Sequence, residues 1–253
     1  MLNPSPLADR VAVITGASKG LGKAMAIALA EAGARLALVS RDATLLKSTA
    51  DACRALGAEA ELFPTDVTDE AQVARLEAQV IARYGKVHIL INNAGINIRK
   101  PITDFTLTEW NRVLDTNLTS VFLLCRALVP HMKGQGYGRI VNLTSMMAHI
   151  SLPGRTAYSA SKTALLGLNR ALALELAAEK ITVNSISPGV CDTEINAPLM
   201  QNEELRSQFL GKIPLGRWGQ PEEIGKLAVY LCSADAGYIT GTDVVIDGGW
   251  IAQ

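Results

Sequence analysis

Short apolar runs of strand length alternate with longer stretches of helical periodicity along nearly the whole chain, and this rhythm constrains the fold more than any other feature. Parallel strands cannot be joined by a tight hairpin. They need a crossover, usually a helix, which then covers one face of the sheet. The pattern predicts strands at Val11–Thr15, Arg35–Ser40, Glu59–Phe63, Val87–Ile91, Arg139–Thr144, Ile181–Ile186 and Asp243–Ile246. Between them it predicts helices at Lys23–Ala32, Ala43–Leu56, Glu70–Tyr84, Trp110–Met132, Tyr158–Ala178 and Pro221–Cys232. With no linker, repeat or low-complexity tract, the chain is expected to be one α/β domain over residues 1–253. Its core would be a doubly wound parallel sheet with helices on both faces. Only Asn196–Arg217 breaks the rhythm. Pro198, Pro214 and two glycines flank a short helical pattern there, as expected of a substrate lid.

Composition narrows the function classes. Of 253 residues, 49% are hydrophobic and 19% charged, and 24 basic side chains balance 24 acidic ones. That balance gives no reason to expect nucleic acid or an anionic membrane as a partner. Cys53, Cys125, Cys191 and Cys232 are far apart without a CxxC pair, which argues for reduced thiols rather than zinc or disulfides. The start, Met1 to Pro6, lacks a basic segment followed by an apolar run, and no stretch approaches the length of a membrane span, so a cytoplasmic protein is expected. His88, His131 and His149 show no metal spacing, and no carboxylate–histidine cluster suggests a hydrolase.

The loop Thr15-Gly16-Ala17-Ser18-Lys19-Gly20-Leu21-Gly22 follows a strand and opens a helix. A helix start presents free N–H groups and a positive dipole end, and glycine lets the backbone approach a pyrophosphate. The second strand ends Ser40-Arg41-Asp42, where a dinucleotide fold faces the adenosine ribose. An acidic residue there would accept bonds from a free 2′-hydroxyl, whereas Arg41 with Lys19 would pair with a 2′-phosphate. The pair of cations favours NADP(H), with NAD(H) as the alternative if both charges are merely solvated and Asp42 does the reading. Asp66, followed by Val67, is placed to accept the adenine amino group. Asn92-Asn93-Ala94-Gly95 ends the fourth strand with small residues that permit close approach to a cofactor.

Tyr158 and Lys162 are one helical turn apart and share a face. A nearby ammonium would stabilise a phenolate and bring the tyrosine toward working pH. Ser145 ends a strand just upstream, where its hydroxyl could hold a substrate oxygen. Asn117, inside a predicted long helix, is either a tolerated exposed residue or a functional one that bends the helix and holds a relay water. Arg99 or Lys100, just past a strand end, could pair with a substrate carboxylate or could belong to a solvated loop. Met146, Met147, His149 and Leu152 suggest a partly apolar pocket wall.

Together these motifs resemble the short-chain dehydrogenase/reductase family over essentially the whole chain. The resemblance rests on the Thr15–Gly22 loop, Asn92–Gly95, Asn117, Ser145, Tyr158-x-x-x-Lys162 and Pro188-Gly189. It implies a Rossmann-like seven-stranded sheet in the order 3-2-1-4-5-6-7 and an Asn117–Ser145–Tyr158–Lys162 tetrad. Tyr158 would transfer the proton, Ser145 would orient the carbonyl, and Lys162 would bind ribose and tune Tyr158. The segment Pro188-Gly189-Val190-Cys191-Asp192-Thr193 is similar to the loop covering the nicotinamide carboxamide. Homotetramers paired partly through the two long helices are the family's usual assembly. Gly95–Pro101, Gly216–Gly219 and Asp247–Trp250 resemble gluconate 5-dehydrogenases and related sugar-acid reductases. The 3-oxoacyl-thioester reductases share every catalytic motif and are the alternative. A non-catalytic nucleotide-binding scaffold is a third, which the complete tetrad disfavours.

Overall fold

The computed structural model describes residues 5–253. The reading of the chain's start as free of an export signal falls mainly on residues 1–4, outside the described residues. Seven strands form one sheet, β1 Val11–Thr15, β2 Arg35–Ser40, β3 Ala60–Pro64, β4 Ile89–Asn92, β5 Gly138–Leu143, β6 Ile181–Pro188 and β7 Asp243–Ile246. All pairings are parallel, in the order β3-β2-β1-β4-β5-β6-β7.

Strand alternation sorts the core into two layers. Ala12 and Ile14 of β1, Leu36 and Leu38 of β2, and Ile89 and Ile91 of β4 pack on one face. There they meet α1 (Gly20–Glu31), α2 (Ala43–Ala55) and α9 (Pro221–Cys232). Val11, Val13, Ala37, Val39 and Leu90 point the other way, onto α3 (Glu70–Tyr84), α5 (Ser120–Leu128) and α6 (Thr156–Leu176). Each large aliphatic side chain buried in this way contributes roughly 1.5–3 kcal/mol, so a strand slipped by one residue would lose both layers together.

The expected helix Trp110–Met132 starts earlier and is not uniform. Thr106 and Glu109 form a capping box that opens α4 at Leu107–Leu114. A π-helical turn follows at Asp115–Thr119, then α5 and a 3₁₀ turn at Val129–His131. The continuous helical run Leu107–His131 has 25 residues and contains an 18-residue window with a mean hydropathy of 1.3, so the expectation that no stretch approaches a membrane span fails on length and composition. Its buried face packs against β4, α3 and α6 as a layer of the fold. The irregular segment after β6 contains α7 (Ala197–Gln201) and α8 (Glu203–Leu210).

Sheet order reverses between β1 and β4, and the crevice above the carboxyl ends of these strands is where open α/β sheets take ligands. The glycine loop rises on one side of that crevice and Asn93–Gly95 on the other.

Candidate active site

One cavity runs along the carboxyl ends of the strands. Its lining joins the glycine loop, the tip of β2, Asp66 and Val67, Asn93–Gly95, Ser145, Tyr158, Lys162 and the segment after β6. All the cofactor candidates, Gly16, Ser18, Lys19, Gly20, Leu21, Gly22, Ser40, Arg41, Asp66, Val67, Asn93, Ala94, Gly95, Pro188, Gly189, Cys191 and Thr193, border it.

At the cofactor end, α1 begins after Lys19 with no side-chain cap and no acidic residue in its first turn. By contrast, Asp42 caps α2, Asp69 caps α3 and Thr106 caps α4. A bare helix start facing a cavity suits an anion, because its N–H groups lack other partners. Thr15 and Asn93 hold the loop. The Thr15 hydroxyl accepts the N–H groups of Asn93 (3.0 Å) and Ala94 (3.1 Å), and Asn93 Nδ2 donates to the carbonyls of Thr15 (3.0 Å) and Gly16 (3.1 Å). The Asn93 amide therefore braces the cradle instead of reaching for a ligand.

Arg41 and Asp66 lie closer together than the sequence suggested. Arg41 Nη1 is 3.7 Å from Asp66 Oδ2, while Asp66 Oδ1 accepts from the Thr68 N–H (3.0 Å) and hydroxyl (2.7 Å). An exposed pair at that distance is worth little, so a phosphate can draw Arg41 away from it. Asp42 Oδ1 accepts the Leu45 N–H at 2.9 Å, which spends the competing carboxylate on a helix cap. The Ser40 and Ser18 hydroxyls, 3.0 Å apart, tie the β2 tip to the glycine loop. These residues fit a 2′-phosphorylated dinucleotide.

At the catalytic end, Ser145 leaves β5 and its Oγ accepts the Met147 N–H at 3.1 Å, which keeps its O–H free to donate. Tyr158 and Lys162 rise from the start of α6, with Lys162 Nζ 5.8 Å from the Tyr158 ring centroid. Lys162 is 4% exposed, donates to the Leu143 carbonyl at 2.5 Å and is pushed by burial down to about 8. Burial raises Tyr158 above the usual phenol range, and the Ser145 hydroxyl, Arg155 and Arg99 oppose that rise. The counterweight to burial therefore comes from Ser145 and two guanidinium groups, whereas the sequence had pointed to Lys162 for this task.

Asn117 is buried at the π turn. Its Oδ1 accepts the Ile96 N–H (2.8 Å), and its Nδ2 donates to the Ile96 carbonyl (2.9 Å) and Ser161 Oγ (3.0 Å). It fixes the loop after Gly95 against α6, so of the two sequence readings the exposed one is excluded. Lys100 pairs with Glu109 and so leaves Arg99 as the basic residue of that loop on the cavity.

The three histidines have structural partners. His88 Nδ1 accepts the Val11 N–H at 2.9 Å, His131 contacts Glu77 at 2.7 Å and His149 contacts Asp243 at 2.6 Å. Cys191 lines the cavity, but burial pushes its thiol up to about 12, which removes it as a nucleophile. The sequence reading missed Arg155, which lines the cavity three residues before Tyr158. The segment 196–217, expected to border the substrate, contributes Leu199 and Phe209, through which α7 and α8 reach the cavity beside Met146 and Met147. A basic residue within one turn of a candidate tyrosine was the available signal for Arg155.

Known proteins resemble this chain over almost its whole length. The family model described as enoyl-(acyl carrier protein) reductase matches residues 16–251. A 2-dehydro-3-deoxy-D-gluconate 5-dehydrogenase from Dickeya dadantii is 36% identical, covering 100% of both chains. A 3-oxoacyl-(acyl-carrier-protein) reductase from Thermotoga maritima is 34% identical over 97% of this chain and 99% of its own. A provisionally named NAD(P)-dependent gluconate 5-dehydrogenase from Beutenbergia cavernae, solved with NADP at low occupancy, superposes with a TM-score of 0.94. It is 37% identical, and the match covers 99% of this chain and 100% of that one.

Proposed function

The chain belongs to the short-chain dehydrogenase/reductase family, oxidoreductases acting on CH–OH groups, and we propose that it is an NADP(H)-preferring member that moves a hydride between nicotinamide and a keto-sugar acid or similar keto acid. The observation that carries the reading is a single cavity lined by Ser145, Tyr158 and Lys162 at one end and by the uncapped start of α1 with Arg41 at the other. Bound nicotinamide supplies the hydride in reduction and accepts it in oxidation. In reduction, Tyr158 O–H gives its proton to the substrate oxygen while Ser145 donates a hydrogen bond to the same atom. The phenolate left behind faces Arg155 and Arg99, which stabilise it while the Ser145 proton stays on the substrate oxygen. Lys162, poised near 8 on the same helix face, can return the proton, and Asn117 holds the backbone at Ile96 in place around it.

The apolar wall of Met146, Met147, Leu199 and Phe209 favours a second reading, reduction of a 3-oxoacyl thioester, as named for the Thermotoga maritima relative. The chain is read as one domain in which 196–217 closes over the substrate as a lid. Exposed Phe122 on α5 and Leu174 on α6 support a homotetramer paired through the long helices, and four buried free cysteines fit a reducing cytoplasm.

The test is Tyr158→Phe in NADPH oxidation with 5-ketogluconate and acetoacetyl-CoA. A fall in kcat of about 10²–10⁴-fold with NADPH binding retained is expected. Undiminished turnover would remove Tyr158 from the mechanism, and a clear preference for the thioester would remove the keto acid.

A further inference from the structure

We propose that Arg155 and Arg99 together form a carboxylate-binding clamp beside Tyr158, which makes this chain selective for ketones that carry their own carboxylate. The inference rests on the reading of Tyr158 as the proton donor and deepens it by assigning the substrate's charge.

The two arginines are 56 positions apart in sequence but are brought together by the backbone. The Lys100 N–H donates to the Gly154 carbonyl at 3.2 Å, which clips the loop after β4 to the turn before α6. Arg99 and Arg155 are the immediate chain neighbours of these two clipped residues, and both line the cavity with Tyr158. Arg155 is partly buried and Arg99 exposed. Neither guanidinium makes an ion pair or a side-chain hydrogen bond among the described residues, although Arg35, Arg54, Arg83, Arg126, Arg206 and Arg217 each have a carboxylate partner. The other cation of that loop, Lys100, is engaged by Glu109.

Two unpaired like charges held side by side in a cavity repel each other. Arg155 is depressed below the usual guanidinium range, by burial first and by Arg99 second. The carboxylates on the cavity lining are Asp66, which faces Arg41, and Glu194, whose Oε2 is 3.6 Å from the Cβ position of Gly20 at the glycine loop. Both belong to the cofactor end. The substrate end is thus cationic without an internal counterion, and a planar carboxylate matches the guanidinium fork. Asn97 lies on the same lining, and its buried Oδ1 has no hydrogen-bond partner among the described residues, so it offers an acceptor to a substrate hydroxyl.

The experiment compares acetoacetate, methyl acetoacetate and acetoacetyl-CoA as substrates of the full-length protein with NADPH. The wild type, Arg155→Gln, Arg155→Lys and Arg99→Gln are measured in parallel. Arg155→Gln is expected to raise KM for acetoacetate about 10- to 100-fold, with KM for the methyl ester changed less than three-fold and partial recovery in Arg155→Lys. Calorimetric titration of the NADP⁺-loaded protein with 5-ketogluconate gives a readout that needs no turnover, and the same variants should weaken it by a similar factor. Equal effects on KM for acid and ester would overturn the clamp while leaving the reductase reading intact. So would failure of 5-ketogluconate to bind the wild type, or a larger effect on acetoacetyl-CoA, which would assign the arginines to a thioester carrier's phosphate. Undiminished turnover of the ester in Tyr158→Phe would instead fault the mechanism on which the clamp rests.

Discussion

Gly22→Ala tests whether the cofactor cradle depends on the closeness of the β1 loop to the first turn of α1. A methyl built on Gly22 would fall on the Gly16 carbonyl oxygen, 2.8 Å from the carbonyl carbon and 2.5 Å from Asn93 Nδ2. Carbon atoms in ordinary contact stand about 3.5 Å apart, so Gly16 or Gly22 must move by about 0.7 Å or more. Gly16 cannot move alone, because the Asn93 amide holds its carbonyl at 3.1 Å and that of Thr15 at 3.0 Å. Losing either bond costs about 1 kcal/mol and shifts the N–H groups of α1 relative to the cavity. Misplacement on the 1 Å scale can cost about 100-fold, so NADPH should bind about 10- to 100-fold more weakly, as read by fluorescence titration of the cofactor. Gly57→Ala is the control. Gly57 has φ +85° and nothing within 4 Å, so the variant carries backbone strain without a clash and should lower Tm while leaving NADPH affinity unchanged. NADPH binding within two-fold of wild type in Gly22→Ala would refute the argument that this contact positions the phosphates.

Arg41→Asp should lower kcat/KM for NADPH about 10- to 100-fold and raise the NADH-to-NADPH preference, since a carboxylate at the β2 tip repels a 2′-phosphate and accepts a ribose hydroxyl. A wild type that already prefers NADH in steady-state assays would contradict the role given to Arg41. His88, 2% exposed, is pushed by burial from 6.5 down to about 4 while it accepts the Val11 N–H. The unfolded chain therefore binds the extra proton, and the stability contributed by neutral His88 is full above about pH 6.5 and lost as pH falls toward 4. Urea unfolding at pH 7 and 4.5 should show about 2–3 kcal/mol of pH-dependent loss that a His88→Asn variant lacks. Identical losses in both proteins would sink this assignment.

The sheet was legible because each strand encodes both of its faces. Val11 and Val13 are buried on one layer and Ala12 and Ile14 on the other, so continuous hydrophobicity over four residues is what a doubly covered strand requires. The same local logic found the glycine loop and the Tyr158–Lys162 pair, whose chemistry is written within one helical turn. What escaped were features set by long-range contact. The π turn at Asn117 follows from the bonds its side chain makes to Ile96 and Ser161, 21 and 44 residues away. Apolar periodicity alone reads through it as one helix. Lys100 and Arg99 are indistinguishable in sequence, and only the Glu109 carboxylate, brought round by the capping box of α4, separates a paired cation from a free one.

Arg155 escaped for a different reason, and the reason bears on how the site works. Sequence logic assigned the tuning of Tyr158 to Lys162, because an ammonium one turn away is the obvious charge. Burial weakens that assignment. It lowers Lys162 to about 8 and raises Tyr158, so the same low-dielectric setting favours the neutral form of both partners. A phenol held protonated is a proton donor in waiting, which suits reduction, whereas oxidation requires a phenolate. The charge that makes a phenolate accessible must come from groups less thoroughly buried, and Arg155 and Arg99 meet that condition at the cavity mouth. Substrate charge and proton donation are then coupled through the same two guanidinium groups.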